Sequence, residues 1–283
     1  MFTHLKVKSN YSLLKGLSGL EELITRAKEL NFTSLALTDE NVVYAYPEFK
    51  KLCKKHNIKP IYGIDLSYYV EGLKYSLILL AKNASGFKAI NKLSSYVMTS
   101  HQIDYDILKK YSRDLICITP GYESGYIEDK ILKDDHQEAI EALEKLRGIF
   151  KDFYISYSYH GLEIEKQLSK NILEFCNEND IKMVCVNNVM YARKEDANYH
   201  NYLEAIKNNE IVDNQNICEH YYMKSNEEMM RIAKGQMVEN INYITNNCNV
   251  IFDEEQNHIP VYKSYSNYDS EAYLRAMTEK GLK

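Results

Sequence analysis

Short apolar runs of strand length alternate with amphipathic segments of helical period over roughly the first 224 of 283 residues. That pattern drives a chain toward a sheet whose strands are joined by helices. Residues 2–8 alternate, with Leu5 and Val7 on one face and His4, Lys6 and Lys8 on the other. Residues 34–38 and 60–64 read as further strands, with a helix over 45–56 between them. Residues 66–70, a Glu71-Gly72 turn and residues 75–81 read as a hairpin feeding a fourth core strand. Strands over 115–119, 153–157 and 183–186 follow, separated by helical patterns such as 137–147 and 162–178. Ser18-x-x-Glu21 has capping-box spacing and is expected to open a helix with Leu20, Leu23, Ile24, Ala27 and Leu30 on one stripe. About seven strands in β–α order predict an α/β fold, either a parallel sheet closed into a barrel or a doubly wound open sheet.

From about residue 225 the pattern becomes helical only, over 227–233 and 239–248, and a polar stretch over 253–268 precedes a helix starting near Ser270. The expected organisation is a barrel over 1–224, a helical extension packed on it over 225–252, and a linker with the start of a further domain over 253–283. The chain is therefore expected to be a piece of a longer polypeptide, and its end to be weakly packed. At about 150 residues per domain the length allows two domains, although an α/β barrel alone uses about 250. With 45% hydrophobic residues there is ample core material, which excludes disorder over most of the length. No apolar run reaches the roughly 18 residues of a membrane span, and residues 1–6 lack a signal-peptide pattern, so a cytoplasmic protein without a membrane partner is expected.

The net charge of −5 disfavours a globally basic nucleic-acid binder. The charge is uneven: residues 1–60 carry ten Lys/Arg against six Asp/Glu, and residues 121–180 carry seven against fourteen, which reads as solvated helix faces. The six cysteines form no C-x-x-C pair and read as small buried hydrophobes.

Barrel folds place their chemistry at the C-terminal ends of the strands. Those ends hold Lys6 and Lys8, Asp39-Glu40, Asp65, Ser76, His160, and then Asn188 and Met190. Only Asp39, Glu40, Asp65 and His160 of these could ligate a metal, a poor set for two or three divalent ions. There is no H-E-x-x-H, G-x-S-x-G or P-loop, and Gly16-Leu17-Ser18-Gly19 reads as a capped turn before a phosphate cradle. His200 reads as a surface or packing residue.

Phe2-Thr3-His4-Leu5-Lys6-Val7-Lys8-Ser9-Asn10-Tyr11-Ser12-Leu13-Leu14-Lys15-Gly16 resembles the opening H-L-H-V-H-S-x-Y-S-L-L-D-G of one particular family. It is the PHP (polymerase and histidinol phosphatase) domain of bacterial DNA polymerase III alpha subunits. Ala36-Leu37-Thr38-Asp39, Ile58-Lys59-Pro60-Ile61-Tyr62-Gly63, Leu79-Leu80-Ala81-Lys82-Asn83, Tyr191-Ala192-Arg193-Lys194-Glu195-Asp196-Ala197 and Tyr222-Met223-Lys224-Ser225-Asn226-Glu227-Glu228-Met229 continue the likeness in order, over essentially the whole chain. With no exonuclease interrupting it, the copy resembles the DnaE type. The resemblance implies a distorted seven-stranded (β/α) barrel with a short helical C-terminal extension.

The resemblance also implies a metal pocket, and there this chain departs from the family. Family histidines fall on Lys6 and Lys8, the L-L-D-G aspartate on Lys15, the T-D-H histidine on Glu40 and the G-x-E glutamate on Asp65. A further histidine position is Ser76, His160 keeps its histidine, and the final D-x-H pair is Asn188 and Met190, with Asp39 behind the pocket. A cation at a ligand position repels a metal. The expected pocket is therefore vestigial, with no metal and no catalytic residue, although active relatives use Zn or Mn. The lysines are expected to replace the ions, Lys6, Lys8 and Lys15 facing Glu40, Asp65 and Asp39, with Lys6 or Lys8 in salt-bridge contact with Asp65 or Glu40. The expected role is structural and docking in DNA replication. The implied partners are the rest of the polymerase polypeptide, whose Mg-dependent palm lies outside this chain, and a proofreading exonuclease subunit. DNA would be met only through the full-length protein. The alternative is a metal-dependent PHP phosphoesterase, a free-standing phosphatase or 3′–5′ exonuclease.

Overall fold

The computed structural model describes residues 1–99, 101–212, 219–233, 235–252 and 269–282. Two compact units emerge, Met1–Ile251 and Phe252–Lys283. In the first unit, α1 (Leu20–Glu29) leads to β1 (Ser34–Glu40), α2 (Tyr46–His56), β2 (Lys59–Val70) and β3 (Leu73–Ala81). Then come α3 (Ala84–Met98), α4 (Tyr105–Tyr111), β4 (Leu115–Ile118), α5 (Tyr126–Leu132), α6 (His136–Ile149), β5 (Asp152–Tyr157), α7 (Glu163–Glu178) and β6 (Met183–Cys185). The unit closes with α8 (Ala197–Asn208), α9 (Asn226–Ile232) and α10 (Gln236–Asn247). In the second unit the described residues form α11 (Ser270–Gly281), which buries no side chain. The predicted linker over 253–268 lies outside the described residues.

Among the described residues the strands make one six-stranded sheet in the order β1-β2-β3-β4-β5-β6. The pairs β1/β2, β4/β5 and β5/β6 are parallel, as expected for strands joined through helices, but β3 runs antiparallel to both its neighbours. The cause is local. The predicted strands over 60–64 and 66–70 merge into one long strand, and Glu71-Gly72, with φ of 51° and 80°, makes a two-residue turn that reverses the chain at once. Such a turn joins antiparallel strands only.

The predicted first strand is not a regular one. Ala36 N–H donates to the His4 carbonyl at 3.0 Å and Thr38 N–H to that of Val7 at 2.8 Å. On the other side Lys8 N–H donates to the Val189 carbonyl at 2.9 Å and Val189 N–H to that of Lys6 at 3.1 Å. Toward β1 the register slips, His4 to Val7 spanning one residue more than Ala36 to Thr38, and the Val7 N–H donates to the Thr38 hydroxyl at 3.0 Å; toward Val189 the segment makes an isolated parallel bridge. His4 does not share a polar face with the lysines as expected. It sits edge-on between Phe2 and Phe32 and its Nε2–H donates to the Lys224 carbonyl at 2.8 Å; burial pushes the imidazole down to about 4.

The predicted capping box at Ser18 and Glu21 does not form. α1 begins after Gly19 with no side-chain cap, and the Ser18 hydroxyl instead accepts from Ala192 N–H at 3.0 Å. Ser225 and Glu228 do form a reciprocal capping box at the start of α9. α10 lies on β6, with Met237, Ile241 and Ile244 buried and Asn240 donating to the Met183 carbonyl at 2.8 Å. The described cysteines are free and buried, so they act as small core residues.

One glycine supports the site directly. A Cβ on Gly16 would stand 2.0 Å from the Ser9 carbonyl oxygen, so only glycine lets the 9–16 loop fold back on itself. Gly16→Ala should lower the unfolding free energy by about 1–3 kcal/mol, the usual range for overpacking, in urea titrations. Gly19→Ala, where a Cβ meets nothing within 4 Å, should not.

Candidate functional site

A cavity of about 500 Å³ opens beside the 4–8 segment, and its wall includes Lys6, Lys8, Lys15, Glu40, Asp65, Ser76 and Met190. Seven positions scattered from residue 6 to residue 190 therefore converge. β1 and β2 bring Glu40 and Asp65 side by side, since the two are register partners. Lys6 and Lys8 point the same way because they lie two residues apart on extended backbone.

Lys8 is buried and its Nζ donates to Asp65 Oδ2 at 2.5 Å. Burial disfavours both charges, and each partner outweighs that cost for the other. The Lys8 ammonium is held above its ordinary value, and Asp65, next to Lys8 and Lys6, falls from 3.8 to about 2. Lys6 is equally buried but has no carboxylate at ion-pair distance among the described residues. Its Nζ donates to the Pro120 carbonyl at 2.8 Å. Burial first, then repulsion from Lys8, lowers it from 10.5 to about 8. At the mouth Lys15 bonds Glu40, and Lys74 reaches the same carboxylate at 3.6 Å. Ser76 bonds the Ser124 hydroxyl at 2.9 Å.

His160 and Asn188 do not line the cavity. They border a much smaller recess together with Glu165, and Lys6 and Glu123 line both spaces. The His160 ring is fixed at both nitrogens: Nδ1–H donates to Glu165 Oε1 at 2.6 Å, and Nε2 accepts from Asn188 N–H at 3.2 Å. Glu123 accepts from the Tyr221 hydroxyl at 2.7 Å and from Asn188 Nδ2 at 3.1 Å. Burial pushes the Glu123 carboxyl up, but Lys6, the Tyr221 hydroxyl and Lys8 outweigh it and hold it below the usual range. Asp39 lies behind the pocket, as expected, and does not join the carboxylates that face the lysines. It turns back into the 9–16 loop and accepts from Ser9 N–H at 2.7 Å, the Ser9 hydroxyl at 2.8 Å and the Ser12 hydroxyl at 2.6 Å. His200 is buried, with Nε2–H donating to the Lys15 carbonyl at 3.0 Å.

Glu123, Lys74 and Tyr221 were not singled out from the sequence, nor was Glu165 as the partner of His160. Glu123 and Tyr221 lie on loops, Lys74 at the start of β3 and Glu165 in the first turn of α7, and only the acidic excess over 121–180 hinted at the two glutamates. The donor set does not suit a metal. Two lysines stand in the cavity wall, the His160 lone pair is taken by a backbone N–H, and among the described residues no three His, Cys, Asp or Glu converge to hold an ion.

The PHP domain family matches residues 4–160, more than half of the chain. The chain belongs to the PHP family. Along its whole length this PHP protein is similar to the DNA polymerase III subunit alpha of Bacillus subtilis (strain 168), 31% identical over 291 residues that cover 100% of this chain and 26% of the relative. The subunit of Treponema pallidum (strain Nichols) is also 31% identical, over 306 residues that cover 99% of this chain and 26% of the relative. The chain thus spans about a quarter of the length of these relatives. Among solved structures it is similar to a two-domain Bacteroides vulgatus protein containing a predicted PHP-like metal-dependent phosphoesterase. The TM-score is 0.42 at 14% identity, covering 67% of this chain and 52% of that one. No described helix is long and apolar enough to cross a membrane.

Removing Lys8 alone strands a buried carboxylate. Lys8→Met should cost about 3–5 kcal/mol in denaturant unfolding, and Lys8→Met/Asp65→Leu should recover most of it. The pH dependence has two signs. Asp65 titrates lower in the folded state, so its contribution is complete above 3.8 and is lost as pH falls toward about 2. Lys6 also titrates lower when folded, so the cost of burying its charge is full below about pH 8 and disappears as pH rises toward 10.5. The stability of Lys6→Met relative to the unsubstituted protein should therefore be higher at about pH 7 than at about pH 10.

Proposed function

We propose that this chain serves as the PHP domain of a replicative DNA polymerase III alpha subunit and that its part there is architectural. The observation that carries this reading is the buried Lys8–Asp65 pair at 2.5 Å, in the pocket where the family pattern places metal ligands. An ammonium brings a single point charge and three hydrogen-bond donors to the carboxylate, so the wall is neutralised without an ion. The full-length likeness to polymerase alpha subunits supports the setting. In this reading the 4–8 segment is the seventh stave of a distorted (β/α) barrel, joining β1 to the chain after β6 at Val189. Residues 225–252 form a helical extension held on the barrel by α10, and residues 253–283 lead toward the rest of the polymerase. Nucleotide addition, its magnesium ions and DNA contact belong to that remainder, in the cytoplasm. The domain holds the polymerase body and offers a docking face to a proofreading exonuclease subunit.

Metal analysis of protein purified without chelator tests this directly. The expected result is well under one equivalent of Zn or Mn, no phosphatase or 3′–5′ exonuclease turnover with Mn, Zn or Mg, and an unfolding midpoint unmoved by chelator. Stoichiometric metal, or turnover that disappears in His160→Ala, would overturn the reading in favour of a metal-dependent phosphoesterase.

A further inference from the structure

Lys6 and Lys8 are both buried on the same wall, yet their surroundings differ in kind. Lys8 is committed to Asp65 and stays an ammonium. Lys6 meets one neutral acceptor, the Pro120 carbonyl. The charged groups acting on it are Lys8 on its own segment, Asp65 on β2, Glu123 after β4 and Glu128 on α5, and none of the three carboxylates makes an ion pair with it among the described residues. Burial next to another cation favours the free amine, the circumstance that activates lysines toward carbonyl carbon. The lowering of this group to about 8 agrees with that geometry. In its neutral form the nitrogen can keep one N–H on Pro120 and still present a lone pair to the cavity, whose wall it forms.

The mouth of the same cavity has a charge preference. Lys15 and Lys74, with 34% and 54% of their side chains exposed, share one carboxylate, that of Glu40. Lys207, also in the wall, is paired at 3.0 Å with Glu204. One positive charge at the entrance is left without a matching carboxylate, so an anion is drawn to the opening of a space whose buried wall holds an amine.

We propose that Lys6 is a nucleophilic amine that condenses with small aldehydes or ketones carrying one anionic group, the anion resting between Lys15 and Lys74. The Lys6 nitrogen adds to the carbonyl carbon to give a carbinolamine. Both amine hydrogens then leave with the carbonyl oxygen as one water, and a carbon–nitrogen double bond remains. No oxidant, reductant or metal is consumed. This site is independent of the polymerase assignment and would stand if that reading failed.

The test uses the 283-residue chain with pyridoxal 5′-phosphate as probe and phosphate-free pyridoxal as control. Borohydride traps the imine and peptide mapping resolves each lysine. Lys6 should be labelled at least ten-fold faster than Lys170, whose side chain is 77% exposed. Pyridoxal should label Lys6 several-fold more slowly than the phosphate does, while Lys170 shows no such preference. Lys6→Met should lose that adduct alone. A Lys6 rate within ten-fold of that at Lys170, or an unmodified Lys6, overturns the proposal. Fast labelling that is equal with both probes overturns its anionic half.

Discussion

Two ammonium groups are buried two residues apart on a segment that cannot swing away. Backbone hydrogen bonds hold residues 4–8 to β1 on one side and to Val189 on the other, so Lys6 and Lys8 must meet whatever lies across the cavity. An unpaired buried charge costs several kcal/mol, and the surrounding carboxylates are arranged accordingly. Asp65 binds Lys8 directly, while Glu123 and Glu128 lower the cost of Lys6 from a distance. The asymmetry matters chemically: one lysine is locked as a cation, and the other is left close to the pH at which it loses its proton.

Hydrogen bonds behind the cavity wall keep this geometry in place. Asp39, one residue before Glu40 on β1, spends its carboxylate on the Ser9 and Ser12 hydroxyls and the Ser9 N–H. That closes the 9–16 loop over the end of β1 and sets Lys15 beside Glu40. Leu17 N–H donates to the Met190 carbonyl at 2.8 Å and Met190 N–H to that of Tyr221 at 2.8 Å, tying the loop to later chain. Met190, Tyr191, Ala197, Tyr221 and Tyr222 then form a small apolar cluster against Leu17. Met190, in the cavity wall, is part of this packing.

Internal ion pairs have one consequence that bound metals do not. A metal site couples folding to ion supply and to chelators. A lysine–carboxylate pair answers only to pH, and here the Asp65 contribution is complete above 3.8.

The sequence by itself determined the strand and helix alternation, because apolar periods of two and near 3.6 are written in the chain. It also located much of the cavity wall: the ends of the apolar runs named Lys6, Lys8, Glu40, Asp65, Ser76 and Met190, although they also named Asp39, His160 and Asn188, which lie outside it. What only tertiary structure decided was pairing. Whether Lys8 or Lys6 reaches Asp65 depends on where β2 lies against the 4–8 segment, and no spacing encodes it. The partners of His160 and Glu40, Glu165 and Lys74, come from a helix and a strand whose relative placement is set by packing. The hairpin into β3 was legible in residues 66–81, but the first strand loses its regularity where the Thr38 hydroxyl takes the Val7 N–H. Ser18 shows the same limit, since its capping-box spacing is sound but the Ala192 N–H claims the oxygen from 174 residues away. Local pattern specifies which groups need partners, and chain packing chooses among the partners in reach.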